Sequence, residues 1–262
     1  MVITDRFVLL NFPKTGSTFA RTVLGRLHPE GSIKRALVAM RLANPAIRDL
    51  HMERYRMDPS EPVKRTQHLV YAQVPDEHRH KTIVSIMRDP FARLISAYEF
   101  KDWIRALAAI PEIGEEYPHF PKLTFEEYVT AQFKHAKQHW LPADGAGLDL
   151  GPHTIQFIRF YARDPKAYLM GMRPGRSIRE DLANAFAPVR FLHTENLNLE
   201  LYDLLKDHGY AEDRIAFVRE MNKVKTTIRS RQEYFTPPLR ALVLHRERML
   251  FDLFPEYKPT ES

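Results

Sequence analysis

The chain reads as an α/β protein: one domain over residues 1–262, with a central parallel sheet flanked by helices. Three observations predict this. Short apolar runs rich in β-branched residues alternate with longer stretches of helical periodicity. Two of those runs pass through a brief polar turn directly into a helical stretch, as in β-α units. The chain of 262 residues, 44% hydrophobic and 27% charged, is long enough to bury a sizeable core.

Strands are expected at 7–12, 68–72, 82–87 and 189–193. The run Phe7-Val8-Leu9-Leu10 is apolar throughout, and so is most of Thr82-Ile-Val-Ser-Ile-Met87. Such continuous runs suit strands covered on both faces. Helices are expected at 18–27, 91–107, 125–138, 197–207, 211–221 and 238–251. The helix near 91 has a clear start: Asp89 suits the N-cap and Pro90 the first helical position, where its missing N–H costs nothing. Phe91, Leu94, Ile95 and Tyr98 then form an apolar stripe at helical spacing, which reads as core. The stretches 109–122 and 141–153 carry Pro and Gly and read as loops inserted over one core. No repeat or low-complexity linker interrupts the chain.

There are no cysteines, which excludes a disulfide framework, a thiolate metal site and a cysteine nucleophile. The first residues lack the basic-then-apolar layout of a signal peptide. No apolar run approaches the roughly 18 residues that cross a bilayer. These features lead us to expect a cytoplasmic protein with no integral membrane contact. The net charge of +6 favours anionic ligands. The basic residues are spread along the chain, with no block that suits a nucleic-acid arm.

Two segments carry the chemistry. The first is Asn11-Phe12-Pro13-Lys14-Thr15-Gly16-Ser17-Thr18-Phe19, between an expected strand and an expected helix. That geometry presents backbone N–H groups and a helix N-terminus to an anion, and Lys14, Ser17 and Thr18 add a cation and two hydroxyls. The same residues also suit an ordinary turn with Thr15 or Ser17 as the cap. The stretch is not a Walker A loop, because no glycine lies upstream in the loop and Lys14 precedes Gly16 rather than following a glycine. The second segment is Arg88-Asp89-Pro90-Phe91-Ala92-Arg93-Leu94-Ile95-Ser96-Ala97-Tyr98. Here a guanidinium emerges at a strand end and a hydroxyl follows in the next helix, a pairing that suits a second phosphate. Open α/β sheets bind ligands beyond the carboxyl ends of their strands.

Together these segments resemble sulfotransferases that use 3′-phosphoadenosine 5′-phosphosulfate (PAPS). Pro13-Lys14-Thr15-Gly16-Ser17-Thr18 is similar to the family's 5′-phosphosulfate loop, and Arg88-Asp89-Pro90-x-x-Arg93-x-x-Ser96-x-Tyr98 to its 3′-phosphate motif. The best-matching stretches are 7–27 and 66–103. The tail from Tyr234 to Pro255 resembles the closing helix of the carbohydrate branch, which includes heparan sulfate 2-O-sulfotransferases and many bacterial relatives. Residues 104–188 show no such likeness. The resemblance implies a P-loop-like sulfotransferase fold with PAPS as donor and no metal. It implies that Lys14 supports charge on the leaving phosphate. Thr15, Gly16, Ser17 and Thr18 would hold the 5′-phosphate, and Arg88 and Ser96 the 3′-phosphate. Arg93 fits the motif and equally fits a structural role. The family's cytosolic branch carries an Arg-Lys-Gly loop that this chain lacks, so the adenosine contacts stay open. They include the basic residues Lys223, Lys225, Arg229 and Arg231.

An acceptor hydroxyl must lose a proton, so a general base is expected. His68, in Thr66-Gln67-His68-Leu69-Val70-Tyr71, lies between the motifs in a context similar to the catalytic histidine of the 2-O-sulfotransferase branch. A hydrogen-bonded structural histidine is the alternative. Other branches use glutamate; here Glu53, Asp58, Glu61, Asp76 and Glu77 lie between the motifs without a comparable context. Glu195 reads as a helix cap or an orienting group. The acceptor is expected to be a glycan or small molecule with a hydroxyl. Lys34, Arg35, Arg41, Arg48, Arg54, Arg56, Lys64 and Arg65 fit an acidic acceptor. They fit better a solvated amphipathic helix with Ile33, Leu37 and Met40 on its apolar face. Trp103 and Trp140 suit either a sugar platform or the core. A P-loop kinase or hydrolase and a non-catalytic nucleotide or polyanion module are the competing classes.

Overall fold

The computed structural model describes residues 1–29, 31, 36–38, 40, 42, 45–57, 61, 63–140 (136–140 as backbone), 148–173, 175–221 and 233–259. Ile33, Lys34, Arg35, Arg41, Asp58, Lys223, Lys225, Arg229, Arg231 and the Trp140 side chain lie outside the described residues.

The apolar run Phe7–Leu10 forms strand β2, with all four side chains buried. β2 pairs in parallel with β6 (Thr82–Met87), Leu10 lying opposite Ser85. β6 pairs in parallel with β7 (Val189–His193), Met87 lying opposite His193. These three strands form the parallel sheet expected from the sequence. Two strands of two residues extend it: β1 (Val2–Ile3) runs antiparallel beside β2, and β3 (Arg48–Asp49) antiparallel beside β1. The five-stranded sheet, in the order β3-β1-β2-β6-β7, is therefore mixed. Strands this short show no alternation for sequence to reveal. A separate antiparallel pair joins β4 (Met52–Glu53) to β5 (Arg65–Thr66). The strand expected at 68–72 is absent. Residues 68–70 lie outside any strand and lead into a 3₁₀ turn at Tyr71–Gln73.

The longer helices are α1 (Ser17–Leu27), α2 (Pro90–Phe100), α3 (Phe125–Trp140), α4 (Pro152–Tyr161), α5 (Ile178–Ala185), α6 (Leu197–Asp207) and α7 (Pro237–Arg246). The chain forms two compact units. The first comprises Met1–Tyr55, Val63–Arg88 and Pro188–Thr226 and holds the whole sheet; the second comprises Arg56–Pro62, Asp89–Ala187 and Thr227–Ser262.

In the first unit, Phe7, Leu9, Val84, Ile86 and Leu192 make one apolar sheet face. Ala20, Val23, Leu24 and Leu27 of α1 pack in the same core, at the i, i+3, i+4, i+7 spacing of a single helix face. Leu201, Tyr202, Leu204 and Leu205 of α6 complete it. The expected helix at 211–221 is instead two single turns, Glu212–Ile215 and Phe217–Glu220.

In the second unit, α2 starts as expected. The Asp89 carboxylate accepts the Phe91 N–H at 3.0 Å, and Pro90 takes the first position. The helix expected to run to 107 stops at Phe100, because Lys101 turns left-handed at φ 60°. A separate helix, Trp103–Leu107, follows. Trp103 stacks on Tyr98 with ring centroids 5.9 Å apart and donates its indole N–H to the Tyr98 carbonyl at 3.0 Å. It is 6% exposed, so its role is in the core. Arg93 is turned inward at 3% exposure, its guanidinium against the Gln156 side chain.

The helix expected at 238–251 is divided at Glu247, between α7 and Arg248–Leu253. Glu247 is fully buried and caps the start of α4. Its carboxylate accepts the N–H groups of His153 and Thr154 at 2.9 and 2.8 Å and the Thr154 hydroxyl at 2.7 Å. An acceptor at a helix N-terminus meets unsatisfied N–H groups and the favourable end of the helix dipole. Burial pushes the Glu247 carboxyl above its usual range, and these three bonds oppose the shift. Gly151 precedes α4, and a Cβ there would overlap the Glu247 carboxylate. Replacing Gly151 by Ala should therefore lower stability by about 1–3 kcal/mol, the usual cost of overpacking a tight interior. Urea unfolding measures it, and an unchanged midpoint would show that the capping carboxylate tolerates displacement.

Candidate active site

β2 ends at Leu10, and the chain turns at once: the Phe12 N–H donates back to the Leu10 carbonyl at 3.1 Å. The buried Thr15 hydroxyl donates to the Phe12 carbonyl at 2.9 Å and closes the loop. Lys14 and Gly16 have positive φ, 64° and 95°, on either side of Thr15. A left-handed residue other than glycine costs about 1–2 kcal/mol, so the conformation at Lys14 is maintained by its surroundings. Gly16 is the N-cap of α1, and no side chain caps that helix. Among the described residues, none accepts a hydrogen bond from the N–H groups of Thr15, Gly16, Ser17 and Thr18, or from the hydroxyls of Ser17 and Thr18. This clustering of donors at a helix start, beside a lysine, is the chemistry of an anion cradle.

The parallel pairing of β2 with β6 brings a second cation to the loop. Arg88 follows β6 directly, and its guanidinium donates to the Lys14 carbonyl at 3.3 Å. The first unit thus gathers Lys14, Thr15, Gly16, Ser17, Thr18 and Arg88 at the carboxyl ends of two adjacent strands. Ser96 lies in α2 of the second unit, half-buried. Thr194, which was not among the expected site residues, also meets the loop. It follows β7 in the 3₁₀ turn Thr194–Asn196, and its hydroxyl lies 2.6 Å from the Thr15 carbonyl and 2.8 Å from that of Met87. The available signal was its place directly after a parallel strand. Glu195 lies in the same turn.

His68 reaches this edge without belonging to a strand. Its Nδ1 lies 2.7 Å from the carbonyl oxygen of Asn11, the residue after β2, and its backbone N–H donates to the Thr66 hydroxyl at 3.0 Å. A carbonyl only accepts, so Nδ1 carries the proton and the neutral ring keeps a lone pair at Nε2. The segment is further held through Gln67, whose carbonyl accepts the Asn11 amide at 3.4 Å and whose side chain meets Arg21. Arg21 also pairs with Asp49. Burial lowers the His68 pKa below its ordinary 6.5, the Asn11 bond opposes the shift, and the positive charges of Arg21 and Lys14 add to it. The histidine is therefore neutral at pH 7 and fit to accept a proton. Of the basic residues between the motifs, Arg65 donates to the His51 carbonyl at 2.6 Å and Arg48 lies 4.0 Å from Glu77. Met40, expected on an apolar helix face, is 58% exposed.

Because its folded-state pKa is depressed, the unfolded chain takes up the His68 proton first as pH falls. His68 thus contributes stability at neutral pH that is lost progressively below about 6.5. An NMR titration of the imidazole should give a midpoint below 6.5, and Lys14→Ala should move it upward. A midpoint at or above 6.5, or no response to Lys14→Ala, would refute this electrostatic coupling.

The model of the Sulfotransferase family matches residues 1–160, a span that contains the loop, His68, Arg88 and Ser96. A solved structure, mouse sulfotransferase SULT7A1 complexed with PAP, is similar at 14% sequence identity and a TM-score of 0.44, covering 98% of this chain and 86% of that one. No curated protein matches the chain. With more than half of its length matched by the family model, this chain belongs to the sulfotransferase family.

Proposed function

We propose that this sulfotransferase moves the sulfuryl group of PAPS to a hydroxyl, on a carbohydrate or a related small molecule. The observation that carries this reading is the placement of two cationic elements suited to anions, Lys14–Thr18 and Arg88, on the ends of adjacent parallel strands. A donor with phosphates at both its 5′ and 3′ positions matches two such elements; a donor with a single phosphate chain does not.

In this reading the acceptor oxygen attacks sulfur in line. The bond from sulfur to the bridging oxygen breaks, and 3′-phosphoadenosine 5′-phosphate leaves. Sulfuryl transfer, like phosphoryl transfer, is expected to pass through a loose transition state, so catalysis rests on positioning and on charge stabilisation at the leaving oxygen. Lys14 supplies that stabilisation. The N–H groups of Thr15, Gly16, Ser17 and Thr18, with the Ser17 and Thr18 hydroxyls, hold the 5′-phosphate. Arg88 holds the 3′-phosphate, the role the family resemblance also gives to Ser96. The acceptor proton passes to Nε2 of His68, whose Nδ1–H is already committed to Asn11. The whole chain serves as one sulfotransferase domain, working in the cytoplasm and without a metal. No helix among the described residues is long and apolar enough to cross a membrane, and none of their His, Asp and Glu side chains form a group suited to a metal ion.

Transfer of labelled sulfate from PAPS to a panel of glycans and small alcohols tests the reading. Lys14→Ala and His68→Ala should each reduce turnover at least about a hundredfold with the fold intact by circular dichroism. Near-normal turnover in His68→Ala would remove it as the base. The same result in Lys14→Ala would remove the lysine from the transition state.

A further inference from the structure

Neither the family motifs nor the transfer scheme uses the turn after β7, yet that turn grips the loop at Thr15 and the end of β6 at Met87. The Thr194 hydroxyl sits between the carbonyl oxygens of Thr15 and Met87, at 2.6 and 2.8 Å. A hydroxyl has one hydrogen, so it is shared between these two acceptors. Apolar atoms of the same segment close on Gly16: a Cβ there would stand 2.9 Å from Leu197 Cδ2 and 3.8 Å from Thr194 Cγ2.

The consequence follows from peptide geometry. In a trans peptide the C=O and the following N–H point in opposite directions. The Thr15 carbonyl and the Gly16 N–H belong to one such unit, since the only cis bond among the described residues is Phe120-Pro121. A hydroxyl that holds the Thr15 carbonyl toward β7 therefore aims the Gly16 N–H away from it. Arg88 acts in the same way on the preceding unit, drawing the Lys14 carbonyl and so directing the Thr15 N–H. Gly16 tolerates either sign of φ, so its own backbone does little to prevent the Thr15-Gly16 unit from rotating. The constraint has to come from outside the loop.

We infer that Thr194 is a positioning residue for the donor site, fixing the orientation of the Thr15-Gly16 peptide so that its N–H faces the 5′-phosphate. The inference rests on the PAPS reading for the identity of the anion, and on the structure alone for the tether. Because Thr194 also holds the carbonyl of Met87, the residue before Arg88, one hydroxyl sets the spacing of the two anion-binding elements. It touches no reacting atom, so its loss should fall on donor binding more than on the chemical step.

Two measurements separate the parts. The ¹⁵N-relaxation order parameter of the Gly16 amide in the nucleotide-free protein reads the tether: it should fall in Thr194→Val, which keeps the shape and loses the hydroxyl, and stay unchanged in Thr194→Ser, which keeps it. An equal order parameter in all three proteins would overturn the tether. Calorimetry with 3′-phosphoadenosine 5′-phosphate reads its purpose. Thr194→Val should weaken binding about tenfold or more and raise KM for PAPS by a similar factor, with kcat changed much less, and Thr194→Ser should restore wild-type binding. Unchanged binding in Thr194→Val, or an equal loss in both variants, would overturn the positioning role. Failure of the wild-type protein itself to bind this nucleotide would instead defeat the donor reading. Thr194→Ala gives the same comparison should the valine variant not fold.

Discussion

The parallel register of β2 and β6 is the constraint on which the site depends. With Leu10 opposite Ser85, both strands run out at the same edge of the sheet, and the buried Ser85 hydroxyl donates to the Leu10 carbonyl at 3.1 Å. Everything cationic at the site follows from that alignment. The loop carrying Lys14 leaves one strand, Arg88 leaves the next, and the Arg88 guanidinium reaches back to the loop's own backbone. β7 extends the pattern by one strand and delivers Thr194 to the same edge. A slip of one residue would turn every side chain of a strand to the opposite face of the sheet. The continuous burial of both faces of β2 argues that such slips are strongly disfavoured.

A second theme is the use of backbone carbonyls as handles. Three of those at the site, on Asn11, Lys14 and Thr15, accept hydrogen bonds from His68, Arg88 and Thr194. Each bond has a chemical effect at a distance. The first fixes the tautomer of a histidine and leaves Nε2 open. The other two orient peptides whose N–H groups face the other way. The second unit applies a related economy in its interior, where the buried carboxylate of Glu247 satisfies three donors at the start of α4. There the acceptor is a side chain and the result is rigidity; at the sheet edge the acceptors are backbone and the result is a set of aimed donors.

Much of this was legible in the residues. Phe7–Leu10, Thr82–Met87 and Val189–His193 are strands because their apolar runs are unbroken or nearly so. The start of α2 was readable because Asp89 and Pro90 each have one strong positional preference. The left-handed turns at Lys14 and Lys101 were not, because lysine carries no local preference for that conformation and tertiary contacts impose it. The run from His68 to Ala72 looks like a strand by composition. Its order instead comes from side-chain and loop bonds to Asn11, Thr66 and Arg21, which no periodicity records. Helix α4 depends on a cap supplied from more than ninety residues away, and Thr194 on carbonyls in two distant segments, so neither has a local signature.

Donor binding in the proposed mode needs both strand ends at once, and a single titration series measures that requirement. Calorimetry should compare 3′-phosphoadenosine 5′-phosphate, adenosine 5′-phosphate and ATP with and without Mg²⁺. The two-site arrangement predicts that the 3′-phosphate strengthens binding at least about tenfold over adenosine 5′-phosphate, with no need for Mg²⁺, and that Arg88→Ala removes most of that advantage. Equal affinity for the nucleotide with and without its 3′-phosphate, or tighter binding of ATP that depends on Mg²⁺, would contradict it.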